Sequence, residues 1–534
     1  MPIHQPPVYP SYSRSLPAFL LFAILSLLPA HSQDVLTYHN NNSRNGFDNK
    51  ETMLTPANVN FTTFGKLFTV PADGHVDAEP LYISAVTIGG VTHNLLIVAT
   101  EHDTVYAYDA DTGTNLWQVT TLKSGETTSD KRSCSQVQPE IGITATPVIS
   151  RPKIGNPVIY VVAMSKDGSG GYHQRLHALD ATNGSELRNG PVEITAQYPG
   201  TGDNSSGGFV IFDPAQYEER ASLLLTNNTV YLSWSSHCDF RPYTGWLMGY
   251  SASTLAQTTV LNVTPNASKG AFWGAGAGMA ADGSGNIFVL DANGVFDTTL
   301  NSSGFPSDGD YGNAFLRLTT QGGLAVADYF EMFNQSTENG FDTDLGSGGT
   351  LLLSQKDSLG KIWQLAIGAG KDNNLYVVDR TNMGKFNASA NKIYQELVGV
   401  LPSGIWSMPA AFNNSLYYGP VNSKILKFQF NNAKLFTSAV AKTPNSFAFP
   451  GATPSISANA GQNAIVWAAE NVNPAVLHAY NAKTLAEIYN TNQASNGRDQ
   501  FGAGNKFITP MIANGKVYVG TTTGVGVFGL LATK

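Results

Sequence analysis

Acidic side chains in two loops are the residues of this chain whose types and spacing best suit chemistry. The first loop, SSHCDFRPYTGW, brings Asp239 close to Arg241 and Tyr243. The second, FDTDLGSGG, places Asp342 and Asp344 just before a run of glycines. A carboxylate in such a loop can take up a proton or bind a hard cation. The structural alternative is a surface ion pair in the first loop and a glycine-rich strand entry in the second.

The elements that must position these loops are clearest in residues 75–118. Three runs rich in β-branched and aromatic residues, 80–86, 94–100 and 104–108, are separated by Gly or acidic turns, and residues 115–119 add a fourth. This pattern predicts a four-stranded antiparallel meander with a tight hairpin turn at 109–113. A single meander cannot bury both of its faces, so the unit must be repeated and packed face to face.

The meander does repeat along the chain. If Pro80 anchors the first inner strand, comparable positions recur at irregular spacings of 45 to 76 residues: Pro147, Leu223, Met279, Leu351, Pro409, Pro454 and Pro510. Eight anchors predict an all-β fold, an eight-bladed β-propeller of four-stranded antiparallel blades. The last unit stops one strand short, and residues 64–70 have the composition of the missing outer strand. We expect this N-terminal strand to close the ring, which removes exposed sheet edges.

The predicted organisation is one long domain behind an export signal. Residues 18–28 form an apolar run behind Arg14, and Ala30-His-Ser32 follows as a site for signal peptidase. The run is too short for a membrane span. We therefore assign residues 1–32 to a secretory signal peptide, 33–63 to a lead-in and 64–534 to the propeller. The mature chain is expected to be secreted into a periplasmic or extracellular space.

Composition and charge narrow the range of partners and cofactors. The chain has 534 residues, of which 42% are hydrophobic, 13% are charged and 53 are Gly, as suits a turn-rich β protein. A net charge of −8 without a Lys/Arg block argues against nucleic acid and anionic membranes as partners. Two cysteines, Cys134 and Cys238, are too few for a CxxCH haem attachment or a Cys-rich zinc site. In an exported chain we expect them to form a disulfide.

The YDADTG turn, its echo LDATNG and the lead-in before the first meander resemble the pyrroloquinoline quinone (PQQ) dependent alcohol dehydrogenases, which are eight-bladed propellers. The similarity is patchy but runs the length of the mature chain. These turns mark the fold strongly and the chemistry weakly, because one fold hosts many functions. The resemblance implies a quinone lying on a Trp, and a Ca²⁺ held by an acid, an Asn and a catalytic Asp. It also implies a pair of adjacent cysteines over the other face of the quinone.

The resemblance carries over to residues of the third and fourth blades. GWLMGY aligns with the family strand that follows the calcium-binding acid, which makes Asp239 a candidate metal ligand. Trp273 resembles the Trp beneath the quinone, and Asn293 matches the metal-binding Asn. Arg241 is included among the residues that would contact the quinone. The structural alternatives are a Trp packed between blades and an Asn-Gly turn.

The fifth blade gives the best local match to the family. Segment FDTDLGSGG resembles the family segment that supplies the catalytic base, so Asp342 or Asp344 would take the alcohol proton. The sequence does not decide between them, and Asp344 is also a candidate metal ligand. Lys371 lies close to the position of the family's quinone-contacting basic residue, although an ungapped alignment puts Asp372 there.

One loop departs from the family pattern. Cys134 falls where the cysteine pair would stand, but its neighbours are Ser133 and Ser135, so the adjacent pair is absent. Glu140 stands near the place where a basic quinone contact is usual. It is a candidate cofactor contact, and its structural alternative is the cap of a turn.

Two functions are compatible with these residues. The first is a PQQ- and calcium-dependent dehydrogenase that oxidises an alcohol, sugar or aldehyde and passes electrons to a separate acceptor, since the chain has no haem motif. The second is a non-catalytic propeller that binds protein or glycan in the cell envelope or outside the cell. A hydrolase that uses the same acids without a quinone has no motif in its favour. Cofactor binding separates the first two functions.

Overall fold

The computed structural model describes residues 1–8 and 34–532. Residues 1–8 are irregular and exposed. The apolar run of the predicted signal peptide lies outside the described residues. Within the described ranges, no helix has the length and hydropathy that crossing a membrane requires. Residues 32–534 form one compact unit, and the description below concerns its described part.

Residues 34–532 fold into antiparallel sheets that follow one another along the chain, so the all-β prediction is confirmed. Eight of the sheets in this range contain four or more strands. A strand begins at the residue directly after each predicted anchor. The exception is Leu351, which is itself the first residue of a strand. The alternation of β-branched runs and turn residues therefore located one strand of every large sheet, which we call the first strand of that sheet.

The first four large sheets lie between residues 81 and 386. The first contains Leu81–Ile88, Val91–Ala99, Thr104–Asp109 and Asn115–Thr120. The second contains Thr127–Asp130, Glu140–Ile141, Val148–Ser150, Val158–Lys166, Tyr172–Asp180 and Val192–Glu193. The third contains Leu224–Thr226, Thr229–Ser233, Trp246–Ser251 and Gln257–Asn262. The fourth contains Ala280–Ala281, Ile287–Leu290, Phe315–Thr319 and Ala325–Glu331, with Lys385–Phe386 added in parallel.

The last four large sheets complete the chain and take in two strands from its beginning. The fifth contains Leu351–Lys356, Ile362–Gly368, Leu375–Asp379 and Gln395–Leu397. The sixth contains Ala410–Phe412, Ser415–Tyr418, Leu426–Asn431, Lys434–Leu435 and Ala441–Lys442. The seventh contains Ser455–Asn459, Gln462–Glu470, Val476–Asn481 and Glu487–Asn490, with Phe47–Asp48 added in parallel. The eighth contains Met511–Ala513, Lys516–Thr521, Gly524–Leu530 and Phe64–Pro71, and its last two strands pair antiparallel.

The remaining elements are short. Gln197–Pro199, Ser205–Ser206 and Phe209–Ile211 form one small sheet, and Tyr217–Glu218 pairs with Ser235–Ser236. The α-helix α1 spans Gln335–Phe341. Single 3₁₀ turns occur at Tyr38–Asn40, Gly274–Gly276, Leu345–Ser347, Thr491–Gln493 and Ser495–Gly497.

The hydrophobic core lies between the faces of neighbouring sheets. Tyr160 of the second sheet and Leu232 of the third belong to one buried cluster, and Trp467 of the seventh and Val519 of the eighth belong to another. The first sheet also shares a cluster with the eighth, where the rings of Tyr82 and Tyr518 are 6.4 Å apart. Each meander therefore buries its two faces against two different sheets, as its pattern of apolar residues requires.

Residues 34–51, which we call the hub segment, contact the first strands of successive sheets. Backbone bonds run from Val35 to the first sheet, from Leu36 to the second, from Asn42 to the fourth, from Ser43 to the fifth, from Asn45 to the sixth and from Gly46 to the seventh. The side chain of Asn42 donates to Leu225 O of the third sheet (2.9 Å). Glu51 accepts from the backbone of Gly515 in the eighth (2.9 Å). The hub segment thus meets the sheets in the order of the chain.

Arg44 and His39 anchor the hub segment. The guanidinium of Arg44 is fully buried and donates to Met279 O (2.9 Å), Tyr38 O (2.8 Å) and Leu223 O (3.0 Å). The two ring nitrogens of His39 lie 2.9 Å from Arg44 O and 3.0 Å from Pro454 O. Burial lowers the pKa of His39 to about 4, so the imidazole is neutral at pH 7.

Candidate functional site

A cavity opens where loops that precede the first strands of several sheets meet loops that join the second and third strands. Its empty volume, including solvent-open space, is about 540 Å³. Loops of the third to eighth sheets contribute most of its lining: Arg220, Asp239, Trp273, Ala275, Asn293, Asp344, Ser347, Lys371, Trp406, Phe449, Lys506 and Phe507, with Gln136 from the second sheet. Five residues predicted from the family resemblance, Asp239, Trp273, Asn293, Asp344 and Lys371, thus lie around one space.

Lys371 and two carboxylates form the charged centre of the cavity. Lys371 Nζ lies 2.6 Å from Asp344 Oδ1 and 2.8 Å from Asp342 Oδ1. The side chain of Asp344 is 2% exposed, whereas that of Asp342 is 63% exposed. Burial raises the pKa of Asp344 to about 6, although the charge of Lys371 opposes the rise. Burial also acts to lower the pKa of Lys371, but the two carboxylates outweigh it and raise that pKa.

Glycines allow the Asp344 loop to enter the crowded centre. A Cβ on Gly346 would stand 2.5 Å from the backbone N of Ala292, and one on Gly370 would overlap Asp344 O. No side chain fits at either position, so Gly346 of the FDTDLGSGG segment and Gly370 beyond it are both required for this close approach. Lys371 N donates to Asp344 O (2.9 Å), which holds the loop beside the lysine.

Asn293 and Asp239 supply further oxygen atoms at the same cavity. Asn293 Nδ2 donates to Asp342 Oδ1, and Asn293 Oδ1 is buried without a hydrogen bond from any described residue. Asp239 Oδ1 accepts from the hydroxyl of Tyr243 (2.6 Å). Asp239, Asn293 and Asp344 offer carboxylate and amide oxygens, which are the ligands that Ca²⁺ prefers. In the described part of the chain, no group of three or more His, Cys, Asp or Glu side chains has a geometry that could hold a metal.

Two cations at the cavity were not predicted from the sequence. Arg220 is 3% exposed, lies 4.2 Å from the ring centre of Phe507 and donates to Gln136 Oε1 (3.2 Å). Its Nε is buried without a hydrogen-bond partner among the described residues. Lys506 Nζ donates to Ser135 O (3.2 Å). Neither cation forms an ion pair with a described carboxylate. The charge of Arg220 acts on Asp77, and those of Asp77 and Glu218 act on the half-buried Lys506. The buried Nε of Arg220 still has a free donor, which can bind the carboxylate of a ligand.

The signal that locates these cations is their position in the repeat. Arg220 and Lys506 stand three and four residues before the anchors Leu223 and Pro510. Trp273 stands six residues before its own anchor. The loop before an anchor therefore marks one part of the cavity lining, and the loop between the second and third strands, which holds Asp239, Asn293 and Lys371, marks another.

Aromatic rings form much of the remaining wall. The rings of Trp406 and Phe449 are 5.8 Å apart, and those of Phe449 and Phe507 are 6.4 Å apart. Trp273 is half-buried and lines the same cavity. Flat apolar side chains next to cations suit a planar ligand that carries negative charge.

The predicted disulfide between Cys134 and Cys238 is confirmed. The two Cα atoms are 5.6 Å apart, and the bridge joins residues 104 positions apart in the sequence. Cys238 directly precedes Asp239, and Gln136 lies two residues beyond Cys134. Since Asp239 and Gln136 both line the cavity, the disulfide fastens two of its walls together.

Three residues predicted as cofactor contacts lie away from this cavity. Glu140 accepts from Thr128 Oγ1 (2.7 Å) and lies 3.0 Å from a ring nitrogen of His102. Arg241 is 57% exposed and forms a surface ion pair with Asp203 (2.6 Å). The partner in this pair is thus Asp203 and not Asp239. The half-buried Asp372 accepts from Tyr376, and burial raises its pKa to about 6. Of the two alternatives at 371 and 372, only the lysine borders the cavity.

Comparison with known proteins bears on the fold. The PQQ_2 family model, described as outer membrane protein assembly factor BamB, matches residues 74–198. A search of curated proteins by sequence finds no match.

Solved structures extend the similarity along most of the chain. The quinohemoprotein alcohol dehydrogenase from Comamonas testosteroni aligns with 93% of this chain and 80% of its own, at 15% identity and a TM-score of 0.62. That from Pseudomonas putida HK5 aligns with 94% and 81%, at 14% identity and a TM-score of 0.63. A europium-containing methanol dehydrogenase aligns with 93% and 98%, at 11% identity and a TM-score of 0.59. At these identities the likeness concerns the fold. The fold of the chain is therefore similar to that of these quinohemoprotein and methanol dehydrogenases.

Proposed function

We propose that the protein is a PQQ- and calcium-dependent dehydrogenase that oxidises an alcohol, sugar or aldehyde. The observation that carries this proposal is the convergence of Asp239, Trp273, Asn293, Asp344 and Lys371 on one cavity. These residues were selected from a family pattern and stand as far as 132 positions apart in the sequence, from 239 to 371. A non-catalytic propeller has no need for a buried carboxylate, a lysine and two unpaired cations at the same cavity.

We propose that the eight large sheets are the blades of a ring closed by Phe64–Pro71. The core clusters that join consecutive sheets, and the first sheet to the eighth, support this arrangement. The hub segment supports it independently, because residues 35–46 can span at most about 40 Å yet reach the first strands of seven sheets. This short reach supports a common centre for those strands. In this architecture the residues from 64 onward form one domain, and residues 33–63 form the lead-in.

The chemistry of the side chains at the cavity fits Ca²⁺ and PQQ. Asp239, Asn293 Oδ1 and Asp344 would hold Ca²⁺, since all three offer hard oxygen ligands. Arg220 and Lys506 would bind carboxylates of the quinone, and Trp273 would lie against its ring. Bound PQQ would supply a hydride acceptor next to the substrate carbon.

Asp344 is the residue that would take the proton from the substrate hydroxyl. It is buried, it lies within the cavity, and its raised pKa makes it a stronger base than an exposed aspartate. Lys371 would hold the carboxylate in place through its 2.6 Å contact and would stabilise its ionised form. Asp342 is mainly exposed and would position Lys371 and Asn293 rather than move the proton.

We propose that the chain acts outside the cytoplasm after removal of residues 1–32. The electrons would pass to a separate acceptor, because the sequence has no CxxCH motif. The disulfide between Cys134 and Cys238 suits an oxidising compartment.

A titration of the purified protein with PQQ in excess Ca²⁺, followed by tryptophan fluorescence, tests the proposal. Saturable quenching at one equivalent of PQQ, lost in EDTA, is expected, since Trp273 and Trp406 line the cavity. Arg220→Leu should weaken binding at least tenfold. Arg241→Leu is the matched control, because that arginine is exposed and outside the cavity. If PQQ quenches the fluorescence neither in excess Ca²⁺ nor in EDTA, the better proposal is that the protein is a non-catalytic propeller that binds protein or glycan.

Turnover of the PQQ-loaded protein tests the choice of base. Asp344→Asn should lower kcat by about 10²–10⁴-fold, the usual contribution of a general base. Asp342→Asn should lower it much less, because the exposed Asp342 only positions its neighbours. A larger loss in Asp342→Asn than in Asp344→Asn would overturn the assignment.

A further inference from the structure

A groove separate from the cavity lies between the sixth and seventh sheets. Its empty volume, including solvent-open space, is about 1010 Å³. Tyr417 and Lys427 line it from strands of the sixth sheet, and Asn481 and Lys483 line it from the seventh. The groove and the cavity have no lining residue in common.

The groove lies at the opposite end of these sheets from the cavity. The turns at Asn413 and Gly461 each join the first and second strands of a sheet, and Lys483 lies in the turn between a third and a fourth strand. In an antiparallel meander such turns share one end of the strands, whereas the loops that line the cavity share the other end. A ligand in this groove would therefore bind without contacting the cavity.

Lys427 is a buried cation in this groove. It is 9% exposed, and its Nζ donates to Ala482 O (3.2 Å) and Lys483 O (3.0 Å). Tyr417 lies opposite Lys427 on the neighbouring strand, and its hydroxyl donates to the same Ala482 O (2.7 Å). An ammonium group has three donors. One N–H of Lys427 is therefore left without an acceptor among the described residues.

The positive charge of the groove is not neutralised by the protein. Neither Lys427 nor Lys483 forms an ion pair with a described carboxylate, and no Asp or Glu lines the groove. Burial, and then the charge of Lys483, lowers the pKa of Lys427. Two cations thus repel each other in a chain whose formal net charge is −8. An anion bound to both would remove this repulsion.

Amide groups in the same groove add hydrogen-bond donors. The side chains of Asn413 and Asn463 make no hydrogen bond with any described residue. Asn481 uses its Oδ1 to accept from the backbone of Lys483 (2.9 Å), and its Nδ2 has no acceptor among the described residues. Amide N–H groups donate to the oxygens of an anion.

We propose that this groove binds a phosphate group, either free phosphate or the phosphate monoester of a small molecule. Such a group carries a charge of about −1.5 to −2 near pH 7, which matches two lysines better than a single carboxylate does. Lysine binds phosphate as a point charge. Lys427 would donate through its remaining N–H, and Asn413, Asn463 and Lys483 would bind the other oxygens. This site is additional to the proposed function and does not depend on it.

Calorimetric titration of the purified protein with inorganic phosphate tests the inference. Saturable binding at one equivalent is expected, and Lys427→Met should weaken it at least tenfold. Lys442→Met is the matched control, because Lys442 is an exposed residue of the same sheet and does not line the groove. It should bind phosphate as the wild type does. Glycerol 3-phosphate is the second probe: tighter binding than that of inorganic phosphate would identify a monoester as the ligand, and equal or weaker binding would identify free phosphate.

Three results would overturn the inference: no saturable phosphate binding to the wild type, equal binding in Lys427→Met and the wild type, or tighter binding of succinate than of either phosphate probe. If circular dichroism shows that Lys427→Met is unfolded, Lys483→Ala gives the same decision, since this exposed lysine should contribute at least threefold to phosphate affinity. Lys483→Ala should leave the PQQ titration unchanged, because the groove shares no residue with the cavity. Failure of PQQ to bind would refute the proposed function alone.

Discussion

Replacing Cys134 and Cys238 together by Ser should destabilise the protein and loosen the cavity. The bridge closes a loop across 104 positions of the sequence. In the chain-entropy model, the loss of a cross-link over about 100 residues costs about 4.7 kcal/mol of unfolding free energy. The urea slope of small proteins reaches about 3 kcal/mol per molar and rises with chain length, so the midpoint of unfolding should fall by at most about 1.5 M.

Urea unfolding followed by tryptophan fluorescence measures this shift. Ser135→Ala is the control, because Ser135 is an exposed residue next to Cys134 and its side chain forms no described contact. The wild type under a reducing agent should approach the double variant, whereas the double variant should not respond to the reducing agent. A shift below about 0.3 M, equal to that of Ser135→Ala, would refute the estimate of the bridge's contribution.

The same variant tests the role of the disulfide at the cavity. Because Cys238 directly precedes Asp239, freeing it should let Asp239 move away from the other oxygen ligands. We expect PQQ to bind at least threefold more weakly in Ca²⁺ when no urea is present. Unchanged affinity together with lower stability would mean that the bridge acts on the unfolded chain alone.

Three further perturbations test other parts of the structure. The pKa of His39 is lowered from 6.5 to about 4, which favours its neutral form. Its contribution to the unfolding free energy is therefore present above pH 6.5, and about 3 kcal/mol of it is lost as the pH falls from 6.5 through 4. The urea midpoint of His39→Asn should depend less on pH over that range. Arg44→Met leaves three carbonyls without their donor and should lower the unfolding free energy by at least about 3 kcal/mol in the same urea assay. Gly346→Ala should weaken PQQ binding in the fluorescence titration and lower the urea midpoint, whereas Gly283→Ala, with open space around its Cβ, should change neither the affinity nor the midpoint.

Local patterns predicted the strands, because each large sheet obeys rules that act within a few residues. The anchors Pro80, Pro147 and Pro510 each precede a first strand by one residue. Alternating apolar residues and Gly or Asp turns determine such strands without reference to the rest of the chain.

The site was predictable only where a family pattern named the residue. Asp344 and Lys371 were selected in this way, and the structure places their charged groups 2.6 Å apart. Glu140 and Arg241 were chosen by their place along two loops, but loop conformation decides which side chains turn inward. Arg220 lies in neither loop and was missed, because its burial depends on loops that meet only in the folded chain.

The hub segment shows the same limit more sharply. Its sequence, TYHNNNSRNGFD, is polar and has no apolar periodicity, so it was described only as a lead-in. Its groups are nevertheless buried, because carbonyl and amide groups of the surrounding strands satisfy them. The hydrogen-bond partners of the hub segment lie at positions from Tyr82 to Gly515 along the chain, so they could not be identified from local sequence.

The hub segment also bears on how such a protein can evolve. Repeat proteins commonly gain or lose units by duplication, because each unit contacts only its neighbours. Here one short stretch carries a separate hydrogen-bonding group for each sheet, in a fixed order. A duplicated unit would find no group reserved for it, and a deleted unit would leave a buried group without a partner. If the eight sheets are the blades of one ring, as proposed above, the length of this stretch limits the number of repeats, and new functions should arise by changes in the loops rather than by adding units.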